Sequence, residues 1–409
     1  MDRHDTPLEV ARVLFRHSPK VIKRLLDPCV GSGALVKPFL VSTKTLSISC
    51  VDIDPKVKKE LAVSSRKDKR IQVVQADFLR WANKPTLIGE FDCVVMNPPF
   101  AARPQHQVQL RRNTSGGNQR TGSVPTEMAF LFKSMSLLIT GGKLLAVVPA
   151  SVIASASGTW LREHMMRSGA IRLVHELPPR TFSGVEGRMY LLVYESGATQ
   201  TTVTLRNHRL RNPDELKIRP ATSDGGLRLD FAFHESQGWL RTLRRIEGLR
   251  WQKTSDLATV WRGQVKSPVK SPSILHTTNL KSLVPKRRYK IGTNPVKMGD
   301  IVCKRVARSC AESFIMYQHT LPVSASDCLL VFRPNRNVNR YALLFAIRVL
   351  VASRRGAALV EKGLSATYLT IDELSALQIP ISLADRFPDE FRRFKTAVKR
   401  RMWKELPFP

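Results

Sequence analysis

The residues best suited to chemistry form a short turn, Asn97-Pro98-Pro99-Phe100, directly after the apolar run Phe91–Met96. An exocyclic amine on a purine ring is a poor nucleophile because its lone pair is delocalised into the ring. Two acceptors aimed at the amine hydrogens favour a pyramidal nitrogen, and the Asn97 side-chain oxygen and the Pro98 carbonyl suit that task. The prolines stiffen the turn, and Phe100 offers a flat face for a base. A plain turn is the alternative reading of the same residues.

Three further signals precede that turn, each at the end of a predicted strand. Asp27 opens a glycine-rich turn that runs to Gly33, a sequence that lets backbone approach a ligand at the crevice of an α/β sheet. Asp52 stands where a carboxylate accepts hydrogen bonds from ribose hydroxyls. Asp77 and Phe78 suit an adenine amine and ring, although a helix N-cap and a core residue fit them equally. Because no GxGxxG sequence is present, the order favours S-adenosylmethionine over a dinucleotide.

Alternating strands and helices are expected to position these residues. The predicted strands of the first half are Leu46–Val51, Ile71–Val74, Phe91–Met96, Leu144–Val148, Ile171–Glu176, Met189–Glu195 and Thr201–Arg206, with helices at Glu127–Leu138 and Ser157–Arg167. This alternation predicts a Rossmann-like parallel α/β sheet over residues 1–208. Residues 209–235 read as a linker. Residues 236–409 read as a mixed α/β domain, with helices at Glu235–Ile246, Arg340–Ser353 and Ile371–Leu377.

Residues 101–125 are predicted to form one long loop that holds four arginines and no acid. The arginines are Arg103, Arg111, Arg112 and Arg120. Loops of this length are uncommon inside a compact domain. A solvated insertion and a phosphate-contacting segment both remain open.

The charge of the chain favours a polyanionic partner. Its 409 residues hold 66 Lys plus Arg against 33 Asp plus Glu, a formal net charge of +33. This excess argues against a small-molecule metabolic enzyme and favours nucleic acid. Residues 253–308 are the most basic stretch, with 13 basic residues opposed only by Asp256 and Asp300.

The remaining composition points to the cytoplasm. The six cysteines form no CxxC pair and no zinc spacing, so we expect a reducing compartment and no metal site. The polar N-terminus does not resemble a signal peptide, and Arg348 interrupts the longest apolar stretch, so no membrane span is expected.

A base inside duplex DNA must leave the stack to reach such a turn, and a second aromatic ring is then expected to hold it. Phe182, within Thr181-Phe182-Ser183-Gly184, is well placed between two predicted strands. An ordinary core residue is the alternative interpretation of Phe182.

Taken together, the first 200 or so residues resemble the gamma-class adenine-N6 DNA methyltransferases, especially the TaqI-like family. The resemblance implies a catalytic methyltransferase domain at 1–208 and a helix and strand at Glu127–Leu131 and Leu145–Pro149. It also places Phe182 against the flipped base. The implied cofactor residues, with Thr6-Pro7 at the methionine end, are Thr6, Pro7, Asp27, Pro28, Cys29, Gly31, Gly33, Asp52, Ile53, Asp77, Phe78 and Asn97. Phe100 departs from the family, since the TaqI type has Tyr there, and so does the long basic loop.

The second half more loosely resembles the target-recognition domains of that family and of type I specificity subunits. The matching segments are Thr254–Leu257, Trp261–Gln264, Lys297–Val302, Gly363–Thr367 and Ile379–Ile381. The implied partners are double-stranded DNA and a cognate restriction endonuclease or other defence-system subunits. Phosphate contacts from the basic residues would position such a domain on DNA.

Three other functions compete with an adenine-N6 DNA methyltransferase. An rRNA adenine methyltransferase would share the charge, and a protein-glutamine methyltransferase would share the Asn-Pro-Pro turn. A non-catalytic DNA-binding protein is disfavoured by the intact Asp52, Asp77 and Asn97. A nuclease on the same chain is disfavoured. The acids of Pro213–Lys217 hint at the spacing of a nuclease site, but they overlap, and the chain has no room for a separate nuclease domain.

Overall fold

The computed structural model of the protein describes residues 5–41, 45–100, 107–113, 119–183, 185, 187–220, 227–266, 274–285, 294–307, 309–352, 355–361 and 367–402. The chain divides into two compact units, Met1–Phe231 (unit 1) and Ala232–Pro409 (unit 2). Arg103 and most of Gly363–Thr367 lie outside the described residues, as do many cations of the basic stretch 253–308.

Unit 1 alternates strands and helices through most of its length. Its strands are β1 (Ile22–Asp27), β2 (Thr45–Asp52), β3 (Ile71–Gln75), β4 (Phe91–Met96), β5 (Gln107–Asn113), β6 (Gln119–Pro125), β7 (Leu138–Pro149), β8 (Gly169–Glu176), β9 (Met189–Ser196), β10 (Val203–Arg206) and β11 (Glu215–Ile218). Its helices are α1 (Leu8–Phe15), α2 (Lys37–Leu40), α3 (Pro55–Lys67), α4 (Phe78–Trp81), α5 (Thr126–Ser136), α6 (Ala150–Ala154) and α7 (Thr159–Ser168).

Nine of these strands form one sheet in the order β11-β10-β8-β9-β7-β4-β1-β2-β3. Strands β1, β2, β3, β4 and β7 pair in parallel, whereas β9 is antiparallel to both of its neighbours. Burial on both faces explains why β4 and the second half of β7 read as continuous apolar runs. The predicted Rossmann-like α/β class is therefore confirmed.

The strand order reverses at β1, which pairs with β2 on one side and with β4 on the other. In open α/β sheets, ligands bind outside the carboxyl ends of the strands at such a reversal. Asp27 and Asp52 end β1 and β2, and Asn97 follows β4. The sheet thus brings these predicted site residues to one edge.

The predicted loop 101–125 is wrong for its described part, where β5 and β6 form an antiparallel hairpin. The alternation of polar and apolar residues in Gln107–Leu110 is the strand signal, since successive side chains point to opposite faces. Leu110 and Val124 are buried, and they pack with Ala129 of α5. This apolar contact stabilises the hairpin. The arginines of residues 101–125 obscured the strand pattern in the sequence.

The predicted linker 209–235 is also not a separate segment, because its residues up to Phe231 belong to unit 1. Residues 215–218 form β11, which pairs antiparallel with β10 at the edge of the sheet. Arg206 and Glu215 form a 3.0 Å ion pair across the two strands, and Asn207 donates to Asp214 in the turn between them. The acids of Pro213–Lys217 therefore have structural partners.

Unit 2 is a mixed α/β unit, as expected. Its helices are α8 (Phe231–Arg244), α9 (Thr254–Leu257), α10 (Arg340–Val351), α11 (Ile371–Ala376), α12 (Leu383–Arg386) and α13 (Pro388–Lys399). Its strands are β12 (Trp251–Lys253), β13 (Ala258–Arg262), β14 (Ile274–Leu275), β15 (Ile301–Lys304), β16 (Val306–Ala307), β17 (Ile315–Met316), β18 (Ser324–Ala325), β19 (Leu329–Pro334), β20 (Thr367–Tyr368) and β21 (Gln378–Pro380).

The core of unit 2 lies around α10 and a four-stranded sheet in the order β13-β19-β15-β17. The turn before β15 depends on Gly299, whose φ of 95° disfavours other residues. Next to it, the 3% exposed Asp300 accepts from Lys297 N and forms an ion pair with Arg333. No helix among the described residues of either unit is both long and apolar enough to cross a membrane.

Arg162 secures the end of unit 1 from within its core. The side chain is 1% exposed and donates to the carbonyls of Leu227, Val152 and Ser155. Burial lowers the pKa of Arg162 to about 10. The guanidinium fork therefore satisfies three backbone acceptors from two separate segments of the chain.

Replacing Arg162 with Leu should lower the free energy of unfolding by about 3 kcal/mol or more, because several buried carbonyls lose their donor. Arg167→Leu is the matched control on the same helix, since the Arg167 side chain is 50% exposed and 4.0 Å from Glu163. That change should stay within about 0.5 kcal/mol. Urea unfolding measures both, and equal effects would contradict this role of Arg162.

Candidate functional site

The two turns at the strand reversal touch each other directly. Cys29, in the glycine-rich turn after β1, donates its thiol hydrogen to the backbone oxygen of Asn97 over 3.3 Å. The pKa of Cys29 is well above its ordinary value because the thiol is buried and lies near the acids Asp27 and Asp52. The thiol therefore keeps its proton and remains a donor. The contact holds the start of the Asn-Pro-Pro turn against the glycine-rich turn.

Asp52 ties the same glycine-rich turn to the end of β2. Its Oδ2 accepts from Gly31 N over 2.9 Å, and its Oδ1 accepts from Asp54 N over 3.0 Å. Gly31 has a φ of 50°, a conformation that glycine adopts without strain. Val30 N also donates to the carbonyl of Val51 over 3.1 Å. The glycine-rich turn is thus fixed by backbone geometry rather than by bulky side chains.

Thr6 joins the site from the segment before α1. Its side-chain oxygen accepts from the Asn97 side-chain nitrogen over 3.1 Å, and Thr6 is 7% exposed. This contact orients the Asn97 amide, so that its oxygen points the other way. Pro7 begins the turn into α1, where Ala11 N donates to its carbonyl. Sequence reasoning placed Thr6 and Pro7 near the cofactor but missed the contact between Thr6 and Asn97.

Asp27 is the most buried acid of the site, at 1% exposure. Burial raises the pKa of Asp27 to about 8; the N–H of Cys29 opposes this shift, and the charge of Asp52 adds to it. Its Oδ1 accepts from Cys29 N over 3.1 Å. Asp27 therefore carries a proton near neutral pH, which reduces repulsion with Asp52.

Asp77 and Phe78 occupy the positions that the alternative interpretation gave them. Asp77 caps α4 by accepting from Leu79 N over 2.9 Å. Phe78 is 2% exposed, and its ring centroid lies 4.9 Å from that of Phe130. Ala76 N donates to the carbonyl of Asp52, so this strand end also adjoins β2. A role of Asp77 and Phe78 toward a ligand stays a prediction.

The two aromatic residues predicted to hold a base differ in exposure. Phe100 is half-buried against the core, and Pro98 and Pro99 before it are buried and half-buried. Phe182 is 3% exposed and belongs to the same core cluster. Its ring would become available only if its segment opened. The stacking role of Phe182 therefore stays a prediction, while Phe100 is the more accessible ring.

A buried carboxyl group near this edge went unnoticed in the sequence. Glu127, in the first turn of α5, is 5% exposed and accepts from Ser151 Oγ over 3.1 Å. Its Oε2 has no hydrogen-bond partner among the described residues. Burial raises the pKa of Glu127. An acid within an apolar helix was the available signal, but its partner lies on another helix, α6.

The residues at the edge fit S-adenosylmethionine. The positive φ values of Gly31 and Gly33, 50° and 75°, favour glycine and give a tight turn whose backbone is free of side chains at these two positions. Asp52 retains acceptor capacity for ribose hydroxyls, because a carboxylate has about four lone-pair sites and two are used by N–H groups. Ile53 is 66% exposed, an uncovered apolar surface suited to an adenine ring.

A cavity of about 250 Å³ lies elsewhere on the sheet, lined by residues from the segment after α1 and from the strands β7 to β10. The basic residues in its lining are Arg16, His17, Lys143, Arg172 and Arg206. Burial, followed by the charges of Arg206 and Lys143, lowers the pKa of His17 to about 4. His17 precedes β1, so this cavity is at the amino-terminal edge and is not part of the site at the carboxyl edge.

Comparison with known proteins finds similarity to methylases and methyltransferases in the first half of the chain. Residues 36–182 match the family model described as Eco57I restriction-modification methylase. Modification methylase CviBIII of Paramecium bursaria Chlorella virus NC1A is 25% identical over 135 residues, 32% of each chain. Type II methyltransferase M.AccI of Acinetobacter calcoaceticus is 20% identical over 174 residues, 41% of this chain and 31% of that protein.

A protein methyltransferase also matches. Release factor glutamine methyltransferase of Clostridium acetobutylicum is 33% identical over 102 residues, 24% of this chain and 35% of that protein. The chain thus spans about a third of the length of these curated relatives. Among solved structures, the type IIG restriction endonuclease BpuSI shares the fold with a TM-score of 0.52 and 12% identity, over 97% of this chain and 60% of that chain. These matches agree with a methyltransferase fold in unit 1, and residues 36–182 are similar to a restriction-modification methylase family.

Proposed function

We propose that the protein transfers a methyl group from S-adenosylmethionine to the N6 amine of an adenine extruded from duplex DNA. The contact between the Asn97 turn and the glycine-rich turn carries this proposal. Cys29 Sγ lies 3.3 Å from the Asn97 backbone oxygen, so the acceptor turn and the cofactor turn adjoin at the strand reversal. A cofactor bound at the glycine-rich turn would therefore lie next to an amine bound at the Asn97 turn.

The Asn97 turn supplies two acceptors for one amine. Thr6 holds the Asn97 amide with its nitrogen engaged and its oxygen directed away. The Pro98 carbonyl is the second acceptor, on a backbone that two consecutive prolines restrain. As the amine attacks, positive charge develops on its nitrogen, and preorganised acceptors stabilise that charge without reorganising. The attacking amine is neutral, so no general base is needed to start the reaction; the donor leaves as a neutral thioether, and the methylated nitrogen loses a proton to water after the transfer.

The residues that would bind the cofactor lie at the ends of the strands. Asp52 would accept from ribose hydroxyls, Ile53 would cover one face of the adenine, and the turn at Gly31 would face the methionine end. S-adenosylmethionine supplies an electrophilic methyl group on a sulfonium centre. Asp77 would accept from the adenine amine of the cofactor through the oxygen that does not cap α4.

The net charge of +33 favours a nucleic acid as the acceptor-bearing partner, and the resemblance of unit 2 to specificity domains favours DNA. We assign target recognition to unit 2, whose Lys297–Val302 and Ile379–Ile381 segments resemble specificity domains. Phe100 is the accessible ring for stacking on the extruded base, and Phe182 would join it if its segment opened. A cognate restriction endonuclease remains an expected partner of such a methylase.

A protein-glutamine methyltransferase is the second candidate, because one such enzyme matches over 102 residues. A carboxamide nitrogen has the same delocalised lone pair as an aromatic amine, so the Asn-Pro-Pro turn would suit it too. The basic charge and the 178-residue unit 2 favour nucleic acid. Only an assay with both nucleic acids distinguishes an RNA adenine from a DNA adenine as the methyl acceptor.

The Asn97 turn is tested by Asn97→Ala in the full chain with duplex DNA and labelled donor. Methyl transfer should fall by about 100-fold or more, because one preorganised acceptor is lost. Donor binding, measured by calorimetry, should change only a few fold. Asn83→Ala is the matched control, since Asn83 is exposed and bonds Lys133. Transfer by Asn97→Ala at the rate of Asn83→Ala would refute the assignment.

The buried Asp27 predicts a pH-dependent stability. Its pKa is raised from 3.8 to about 8, so its stabilising contribution is full below 3.8 and is lost as the pH rises through about 8. Asp27→Asn keeps the acceptor for Cys29 N without the ionisation. The unfolding free energy of Asp27→Asn relative to the wild type should therefore increase across that pH range.

Urea unfolding of the donor-free protein at several pH values makes this measurement. Asp5→Asn, at an exposed position, controls for the loss of one carboxyl group. A constant difference between Asp27→Asn and the wild type would contradict a protonated Asp27.

A further inference from the structure

The hairpin of β5 and β6 has two unlike faces. Register pairs Val108 with Val124 and Leu110 with Gly122 on one face. The members of that face whose burial is described carry no polar side chain, and Leu110 and Val124 pack with Ala129 of α5. The hairpin is therefore docked firmly on α5 by one side, which leaves the other side outward.

The outer face presents mainly hydrogen-bonding side chains. Apart from the half-buried Pro125 at its base, its described side chains are exposed, and they are Gln107, Gln109, Arg111, Thr121 and Ser123. Ser123 Oγ donates to the side-chain oxygen of Gln107 over 2.5 Å, which orients that amide. Residues 101–126 contain no Asp or Glu. The face thus combines amides, hydroxyls and one guanidinium without any opposing charge.

The hairpin rises from the same sheet edge as the Asn97 turn. It follows β4, whose carboxyl end carries Asn97, and it ends at Pro125, directly before α5. Because β4 and β7 are parallel, the chain must return across the sheet between them, and α5 makes that return. Both ends of the hairpin therefore lie at the carboxyl edge.

We infer that the outer face of the β5–β6 hairpin reads base edges in the major groove of the target DNA, beside the extruded adenine. This inference rests on the proposed function. A two-stranded ribbon fits the major groove of B-DNA. Gln side chains pair with adenine, Arg pairs with guanine, and Ser or Thr pair with several bases. The outer face holds each of these residue types.

The composition of this face favours base reading over simple attraction to phosphate. The salt-dependent, non-specific affinity for DNA comes from cations that release counterions, and neutral amides do not contribute to that effect. Gln107 and Gln109 lie two residues apart on one strand, so they share a face and point the same way. Arg111 continues that row. A row of amides leading to a guanidinium is suited to neighbouring bases.

The test compares Gln109→Ala/Arg111→Ala with a matched control, Gln72→Ala/Arg66→Ala, which removes the same residue types from exposed positions of β3 and α3. Each full-length protein is incubated with a duplex library and donor, and methylated positions are read by modification-aware sequencing. The hairpin variant should lose discrimination by about tenfold or more at one or two base pairs near the methylated adenine. The control should keep the wild-type target.

The outcomes separate the hairpin from the function as a whole. An unchanged target and rate in the hairpin variant would overturn the inference while the proposed function stands. A uniform loss of methylation on all sequences, with a shallower salt dependence, would mean phosphate contact and would also overturn base reading. If the wild-type protein methylates only RNA or protein, both the proposed function and the hairpin's role are wrong.

Discussion

The site depends on one constraint, the meeting of three strand ends at the point where the order of the sheet reverses. Backbone groups of the glycine-rich turn are held by the carboxylate of Asp52, and the thiol of Cys29 holds the backbone of Asn97. Neither contact involves a long, flexible side chain. The distance between the cofactor turn and the acceptor turn is therefore set by the sheet itself.

The meeting of the strand ends also brings acidic side chains close together. Asp27 and Asp52 end adjacent strands, and burial keeps Asp27 protonated near neutral pH. A cationic ligand beside the two acids would favour the ionised form, because an opposite charge lowers the pKa of a carboxyl group. The site is thus arranged to gain from a positively charged donor, while the protein without a donor avoids a buried charge on Asp27 beside the half-buried Asp52.

Much of the sheet could be predicted from sequence, because strands buried on both faces read as unbroken apolar runs. Strand β4 has the predicted bounds Phe91–Met96, whereas β7 begins at Leu138, before the apolar run that marks its buried half. The hairpin was missed because its arginines and glycines obscured the alternation of Val108 and Leu110. The strand β11 was missed because short edge strands carry few apolar residues.

The predicted site residues likewise divide into those that the sequence could place and those that it could not. Asp27, Gly31, Asp52 and Asn97 lie at strand ends, where position along the chain implies position in the sheet, and they are brought together. Phe182 and Phe78 lie in the core, and an aromatic residue after a strand has the same sequence signal whether it faces a ligand or the interior. The contact of Thr6 with Asn97 joins residues far apart in the chain, so no local pattern could indicate it.

The most direct measurement follows the methyl group itself. Purified full-length protein is incubated with plasmid DNA and S-adenosylmethionine carrying a deuterated methyl group, and the DNA is digested to nucleosides for mass spectrometry. We expect the label in N6-methyladenine and in no other nucleoside. Label in a cytosine derivative, or in protein with none in DNA, would contradict the account.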